Sequence, residues 1–391
     1  MRKKGLLFIL LLALLVTLAL TVSCVSKNSE TLPSDSGDDQ VSTRRPQIAN
    51  WLAKKDEVIE SGTRFDLIMS GWFTPEEAEQ IREQNPEAKL LAGLSVNFVW
   101  ANSNWMTFLE TVASYGRAQP LKIEEGMYLR TPAGEKCPFG WASDEWEHEE
   151  IYAMDPRNED WQELITSFYK VLLDQEQHDG IIVDMLTEKP SYWWPQAISD
   201  VEWVLTTKLI MSKIQEYNTK GKLVIFNAGK ELADIDAYSA FMDGYVMENF
   251  LGDWGANYES GLAAADGPYL VVYAVDTDDT GQKDMKKMRL GLTLSLLRDN
   301  TYFAYDFGPR DHGQAWWFSE YDVDLGQPMG DYYVQGSAYR RDFEKGVVIS
   351  SPKSMVDVAF EQLHVDVTSG LSSLTFSVEA GDGRIFLRSE P

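Results

Sequence analysis

Short apolar runs, each bounded by glycine or acidic residues, alternate along most of the chain with longer stretches whose apolar positions recur every three or four residues. Runs without polar alternation suit strands covered on both faces, and their alternation with helices is the pattern of parallel α/β units. Eight such strands are expected, over residues 64–70, 89–95, 127–130, 180–184, 223–227, 244–248, 269–273 and 301–306. Eight parallel strands close a (β/α)8 TIM barrel, which is the α/β fold class expected here. An open doubly wound sheet is the competitor, and the lack of a Gly-rich phosphate fingerprint after the first strand weakens it.

Helix signals sit between these runs. Thr74-Pro75-Glu76-Glu77 offers an N-cap threonine, proline at the first helical position and a glutamate three residues after the cap, and that helix should end near Asn85-Pro86. Trp161, Leu164, Ile165, Phe168 and Leu172 recur at helical spacing between residues 157 and 175. Further helices are expected through Ala113, over 201–218 and over 284–298. Residues 131–155 form a long polar and aromatic excursion with Trp141, Trp146 and His148, and loops of that length in compact domains are usually functional or disordered. Beyond residue 344 the pattern changes to alternating strands (346–349, 374–378, 384–387), which predicts a small C-terminal β appendage over 344–391 on a barrel spanning 46–343.

The amino terminus reads differently. Arg2, Lys3 and Lys4 precede an apolar run from Leu6 to Val22, which ends at Ser23-Cys24. This is the layout of a secretory signal over residues 1–23, with an uncleaved membrane anchor as the alternative. Thr21-Val22-Ser23-Cys24 resembles the cleavage box of bacterial lipoproteins, with threonine where leucine is usual, so lipidation at Cys24 is expected. Residues 24–45 are mostly polar and suit a flexible tether. Either reading puts the folded part outside the cytoplasmic membrane, lipid-anchored in the cell envelope.

Removing residues 1–23 takes away three positive charges and no acids, leaving 32 Lys and Arg against 61 Asp and Glu, a net charge near −29. Such a chain would be repelled by nucleic acid and anionic lipid surfaces, whereas a neutral substrate fits. With Cys24 lipidated, Cys137 has no partner, so no disulfide framework is expected. Thirteen Trp and seventeen Tyr are many for a soluble domain; flat rings suit sugars, although each ring alone is more often core or surface filler.

The strand ends carry the candidate chemistry. In a TIM barrel the C-terminal ends of the strands form the active-site floor. Asp184, Asn227, Glu248, Asp276 and Asp306 stand there. Asp184 and Glu248 both terminate apolar runs and are the expected catalytic pair, because glycoside hydrolysis needs two carboxyl groups. Either alone could equally be a helix cap or half of a salt bridge. Asn227 either holds a sugar hydroxyl or caps a helix. After the eighth strand, Trp316, Trp317, Glu320, Tyr321 and Asp322 mix aromatic and acidic groups as a sugar site would, while a packed lid would explain them too. With Asp306 and Asn227 they are the candidate substrate-binding residues. The run 276–281 superficially resembles a calcium loop but has Lys287 where the last ligand belongs, and the four histidines are scattered, so neither metal nor cofactor is expected. No G-x-S-x-G elbow supports serine chemistry.

The succession Asp179-Gly180-Ile181-Ile182-Val183-Asp184, Val246-Met247-Glu248-Asn249, Tyr302-Phe303-Ala304-Tyr305-Asp306, Glu320-Tyr321-Asp322-Val323-Asp324-Leu325-Gly326 and Phe343-Glu344-Lys345-Gly346-Val347-Val348 resembles hypothetical glycosyl hydrolase family 15. It is more distantly similar to the endo-α-1,4-polygalactosaminidase group, glycoside hydrolase family 114. The likeness runs from about Phe65 to the end. It implies a barrel glycosidase with catalytic acids after strands four and six, with Asp184 as nucleophile and Glu248 as acid/base. The expectation is a surface-anchored hydrolase of a polysaccharide or glycan; the alternative is a non-catalytic carbohydrate-binding lipoprotein on the same barrel.

Overall fold

The computed structural model describes residues 45–52, 55–60, 64–101, 103–139, 151–230, 232–309 and 315–389. The amino-terminal apolar run, Cys24 and most of the tether lie outside these, as do Trp141, Trp146 and His148. No helix among the described residues is long and apolar enough to cross a membrane.

Eight strands lie side by side in chain order: β1 Ala49–Trp51, β2 Leu67–Ser70, β3 Lys89–Ala92, β4 Gly180–Val183, β5 Leu223–Asn227, β6 Gly244–Met247, β7 Leu270–Val275 and β8 Thr301–Tyr305. Every neighbouring pair is parallel. Phe303 N–H donates to the Gln47 carbonyl at 2.9 Å, and a parallel bridge joins Ile48 to Phe303, so the last strand meets the first and the sheet curls into a barrel.

Two expectations about strands fail and offset each other. Residues 127–130 are not a barrel strand: Glu125–Met127 is a 3₁₀ turn, and Tyr128 and Arg130 make isolated antiparallel bridges to Met154 and Lys136. The strand that the sequence pattern misses is β1, whose three residues have polar Asn50 at their centre and form no apolar run. The expected first strand is therefore β2, and the strand leading to Asp184 remains the fourth.

Helices α1 Lys55–Glu60, α2 Pro75–Gln84, α3 Ser103–Ala113, α4 Glu159–Asp174, α5 Asp200–Tyr217, α6 Tyr258–Ala265 and α7 Met285–Ser295 link the strands. The capping box at α2 forms as its sequence predicts, Thr74 accepting from Glu77 N and Glu77 accepting from Thr74 N. α4 buries Trp161, Leu164, Ile165, Phe168 and Leu172 along one stripe. Full burial of such side chains contributes roughly 1.5–3 kcal/mol each before conformational entropy is counted.

Strand side chains alternate. Leu91, Ile182, Ile225, Val246, Ala274 and Ala304 fill the barrel interior, while Leu90, Ile181, Val224, Tyr245, Tyr273 and Phe303 face outward into the layer beneath the helices. Among the described residues after β8 there is no α-helix, only a 3₁₀ turn at Ser319–Asp322. The segment 315–325 packs over the outside, with Tyr321 edge-on to Phe303 at 5.9 Å.

The chain then forms an antiparallel sheet of β9 Tyr333–Gln335, β10 Ala338–Asp342, β11 Gly346–Ser351, β12 Val356–Asp366, β13 Ser372–Val378 and β14 Asp382–Arg388, in the order β9-β10-β11-β14-β12-β13. It docks on α7, where Arg289 donates to Asp382 from Nε at 2.8 Å and from Nη2 at 2.9 Å.

Candidate active site

The alternation that packs the interior also builds the site. Two residues beyond Ile182, Ile225, Val246, Ala274 and Ala304 stand Asp184, Asn227, Glu248, Asp276 and Asp306, so strand parity carries all five to the inner side of the C-terminal mouth. The corresponding positions after β2 and β3 are Gly71 and Gly93. At Gly93, with φ +156°, a Cβ would stand 1.9 Å from the Ile182 carbonyl oxygen, so only glycine lets β3 approach the strand that delivers Asp184.

One amide ties the mouth together. Asn227 Nδ2 donates to Asp184 Oδ1 at 2.9 Å and to Glu248 Oε2 at 2.9 Å. Two such bonds from one nitrogen hold the acceptor oxygens within about 6 Å of each other. Asn227 Oδ1 accepts from Gly229 N at 2.7 Å, and Glu248 N donates back to the Gly229 carbonyl at 2.7 Å. Asp184 Oδ1 also accepts from Met185 N at 2.8 Å. Glu248 is 7% exposed and Asn227 5%, whereas Asp184 is half-buried.

Backbone strain clusters here. Met185 and Asn249, the residues immediately after the two acids, have φ +54° and +46°, and Leu251 has φ +68°. The left-handed region is uncommon for methionine and leucine and costs of order 1–3 kcal/mol, which the surroundings must hold in place. Met185 packs against a satellite core that includes Phe98, Phe139, Trp194 and Trp203. Asn249 donates to Asp278 Oδ1 at 2.8 Å. Cys137 lies in the same satellite core, where burial pushes its thiol up to about 11, so it stays protonated and inert. Tyr169 on α4 is fully buried, donates to the Leu94 carbonyl with the Ile182 carbonyl 3.2 Å away, and has its hydroxyl pushed well up by burial and then by the nearby Asp184 charge.

A narrow cavity of about 20 Å³, room for about one water, lies along the β1–β8 seam and is lined by Asn50, Trp51, Asp276, Asp306, Trp316 and Tyr321 among others. Asp184 and Glu248 are not part of this lining; they stand on the β4–β6 side of the same mouth. Asp306 Oδ1 accepts from Gly308 N at 2.7 Å and from Trp316 Nε1 at 3.3 Å, and Trp316 stacks on Phe307 at 4.0 Å.

Not every candidate comes to the mouth. Trp317 lies edge-on to Phe65 at 5.4 Å, beneath the Arg45 and Arg64 guanidinium groups, and donates to Asp322 Oδ2 at 3.1 Å; Asp322 in turn pairs with Arg64. Arg45, Arg64 and Phe65 precede β1 and β2, so Trp317 and Asp322 sit toward the N-terminal end of the barrel, away from the pair. The physical reason is that the segment after β8 travels along the barrel wall in place of a helix. Glu320 is buried and accepts from Ser319 at 3.1 Å and from Thr368 of the C-terminal sheet at 3.4 Å, and Tyr321 is fully buried beside Phe303. Asn50 and Trp51 of the cavity carry no sequence signal because β1 itself carries none. Among the described residues no three His, Cys, Asp or Glu side chains gather as a metal-ligand set.

A parallel eight-stranded barrel with two bridged carboxyl groups at its C-terminal mouth defines the class of protein. Residues 84–347 match hypothetical glycosyl hydrolase family 15, which spans most of the barrel. The chain belongs to that family and is a glycoside hydrolase. No curated relative matches the sequence. Among solved structures, the chain is similar to a noncanonic maltogenic α-amylase from Thermotoga neapolitana, with 8% identity, TM-score 0.49, and coverage of 88% of this chain and 98% of that one. It is also similar to an Arthrobacter globiformis isomalto-dextranase complexed with panose, with 10% identity, TM-score 0.48, and coverage of 90% and 73%. An α-amylase from Geobacillus thermoleovorans complexed with acarbose is 9% identical, with TM-score 0.46 and coverage of 86% and 91%.

Proposed function

We propose that the protein hydrolyses a polysaccharide or glycan outside the cytoplasmic membrane by a two-carboxylate mechanism that retains anomeric configuration, with Asp184 as nucleophile and Glu248 as acid/base. The observation that carries this reading is the shared Asn227 amide, which keeps oxygens of the two acids within about 6 Å. Carboxyl groups roughly 5–5.5 Å apart serve retention, and inversion needs about 6.5–9.5 Å to admit a water. The surroundings favour these roles. Asp184 Oδ1 accepts two hydrogen bonds, which stabilise the anion a nucleophile must be, whereas the more buried Glu248 suits a group that keeps its proton.

In the first step an Asp184 oxygen attacks the anomeric carbon while the bond to the leaving oxygen breaks and that oxygen takes the proton of Glu248. This gives a glycosyl ester on Asp184 and a carboxylate on Glu248. In the second step Glu248 removes a proton from water, the water oxygen bonds to the anomeric carbon, and the ester bond breaks to restore Asp184. The route draws on no cofactor. Asp306 and Trp316, at the β8 side of the mouth, suit contact with a sugar through hydroxyl hydrogen bonds and a ring face.

Screening neutral and amino-sugar polysaccharides for released reducing ends tests the proposal. Turnover should fall by at least about 10³-fold in Asp184→Asn and Glu248→Gln while glycan binding persists. Full turnover in either variant refutes the assignment. The basic start, apolar run and Cys24 support a lipid anchor in the cell envelope. Fatty-acid labelling that survives Cys24→Ser would refute that part.

A further inference from the structure

We propose that Trp254 is the platform for the leaving-group sugar, a stacking subsite on the Glu248 side of the scissile bond. This deepens the catalytic reading above and rests on it for the role of Glu248 as acid/base. It makes the leaving group a sugar ring, so the substrate is an oligosaccharide or polysaccharide chain and not the glycoside of a small alcohol.

The exposed aromatic side chains among the described residues are Tyr115, Tyr192, Trp254 and Tyr333. Tyr115 follows α3 and Tyr333 belongs to the C-terminal sheet, whereas Tyr192 and Trp254 stand in the segments that follow β4 and β6, the strands that deliver the two acids. Trp254 is 48% exposed. One exposed ring needs no explanation by itself. What distinguishes this one is the backbone that carries it.

Residues 249–256 leave β6 directly after Glu248 and fold back on its end. Gly252 N donates to the Asn249 carbonyl at 2.8 Å and Leu251 N to the Ala256 carbonyl at 2.9 Å. Two glycines press against the start of the turn. A Cβ at Gly252 would stand 1.6 Å from Asn249 Oδ1, and one at Gly255 would stand 1.7 Å from the Asn249 carbonyl oxygen and 3.1 Å from that of Glu248. Residue 255 therefore lies against the end of β6, and Trp254 is one Cα–Cα step, about 3.8 Å, further on. The turn is fixed from below as well. Phe250 is fully buried and stacks on Tyr273 at 4.2 Å, in room left by Gly261 of α6, where a Cβ would meet the Phe250 ring at 2.5 Å. Asn249 is held by Asp278, at 2.8 Å from its Nδ2 to Oδ1.

This rigid turn, left-handed at Asn249 and Leu251, holds the backbone of a half-exposed indole beside the acid/base. Ordering the turn costs nothing at the moment of binding, which is how a preorganised subsite gains affinity. In the first chemical step Glu248 gives its proton to the departing oxygen, so the rim beside Glu248 borders the departing sugar, while Asp184 binds the sugar that becomes the ester. An indole face covers the apolar C–H face of a pyranose ring without requiring charge on the sugar.

The test compares wild type, Trp254→Ala and Trp254→Phe, in the full chain, on two donors of the same sugar: the oligosaccharide cleaved in the screen above, and the glycosyl fluoride, whose leaving group has no ring. Trp254→Ala should lower kcat/KM on the oligosaccharide by about tenfold or more and leave the fluoride within about twofold of wild type, and Trp254→Phe should recover most of the loss. Equal losses on both donors overturn the proposal, because a merely structural turn would affect both alike. An undiminished kcat/KM on the oligosaccharide overturns it too. Binding is read separately by ¹⁹F NMR of the Glu248→Gln chain labelled with 5-fluorotryptophan, the Trp254 signal being the one lost in Trp254→Phe. Oligosaccharides from dextran, starch, xylan and chitosan are the probes; a shift of the Trp254 signal by any of them supports the subsite, and a signal unmoved by all of them at millimolar concentration overturns it. If Glu248→Gln keeps its turnover, the acid/base reading fails, while the ¹⁹F signal still reports whether a sugar stacks on Trp254.

Discussion

Arg289 and Asp382 form a bidentate ion pair between α7 and β14 with side chains only 10% and 0% exposed. Asp382 also accepts from Arg384 at 3.1 Å and from Gly383 N at 2.8 Å, so its burial is compensated by several donors. Breaking a buried pair by removing one partner leaves an uncompensated charge. Asp382→Ala is therefore predicted to destabilise the protein by about 3–5 kcal/mol, and Asp382→Leu combined with Arg289→Met should recover much of that loss. Urea unfolding midpoints of the three proteins check this; a single variant within about 1 kcal/mol of wild type contradicts it.

Gly229 offers a second prediction. Nothing lies within 4 Å of the position a Cβ would take there, so Gly229→Ala meets no clash and its cost comes from φ +59° alone. A left-handed alanine costs about 1–2 kcal/mol. If the turn relaxes to avoid that cost, the Asn227 amide turns with it. The expected result is a stability loss of that size with about a tenfold drop in kcat, and an unchanged kcat would show that the turn does not govern the amide.

Acid should weaken the fold through His178. The imidazole is 1% exposed, its Nε2 accepts from Phe73 N at 3.2 Å, and its Nδ1 lies 3.3 Å from the Leu172 carbonyl, so the neutral Nδ1–H tautomer fits and a second proton would face a donor. Burial pushes the group down from 6.5 to about 4. Between these values the unfolded chain binds the extra proton and the folded one does not. The contribution, about 3 kcal/mol, is therefore complete above pH 6.5 and is lost as pH falls toward 4. Unfolding free energies at pH 7 and 4.5 should differ by less in His178→Gln than in wild type; equal differences would refute the assignment.

Substrate charge follows from the mouth. Asp276 and Asp306 line the seam cavity, whose lining contains neither lysine nor arginine, and the chain carries a net charge of −26. Neutral polysaccharides are predicted to exceed carboxylated ones of similar linkage by at least about tenfold in kcat/KM, with the gap narrowing as salt screens the repulsion. Preference for a polyuronate would contradict this.

Much of the architecture was legible in the chain because period-two and period-3.6 patterns survive burial. The Thr74 capping box and the apolar stripe of α4 appear where their residues indicate. β1 was not legible, since Ala49-Asn50-Trp51 is stabilised by neighbours on both sides and not by any local apolar run. Met127–Arg130 has strand composition without a parallel partner. In the site, strand ends pointed to Asp184, Asn227, Glu248, Asp276 and Asp306, and strand parity accounts for their sharing one face. The direction taken by residues 315–322 depends on tertiary packing, which is why Trp317 and Asp322 end beside Arg64 while Trp316 reaches Asp306. The left-handed Met185 had no local signal at all, since methionine has no preference for that region.

β1 and β8 meet through the parallel bridge of Ile48 with Phe303 and the Phe303 N–H bond to Gln47, whereas β7 and β8 share a five-residue register. Local opening should therefore begin at this join, exchanging the Phe303 amide with deuterium well ahead of the amides between β5 and β7. Because Trp51, Asp306 and Trp316 border the same join, opening there would widen the cavity from the side of the barrel and not from its mouth.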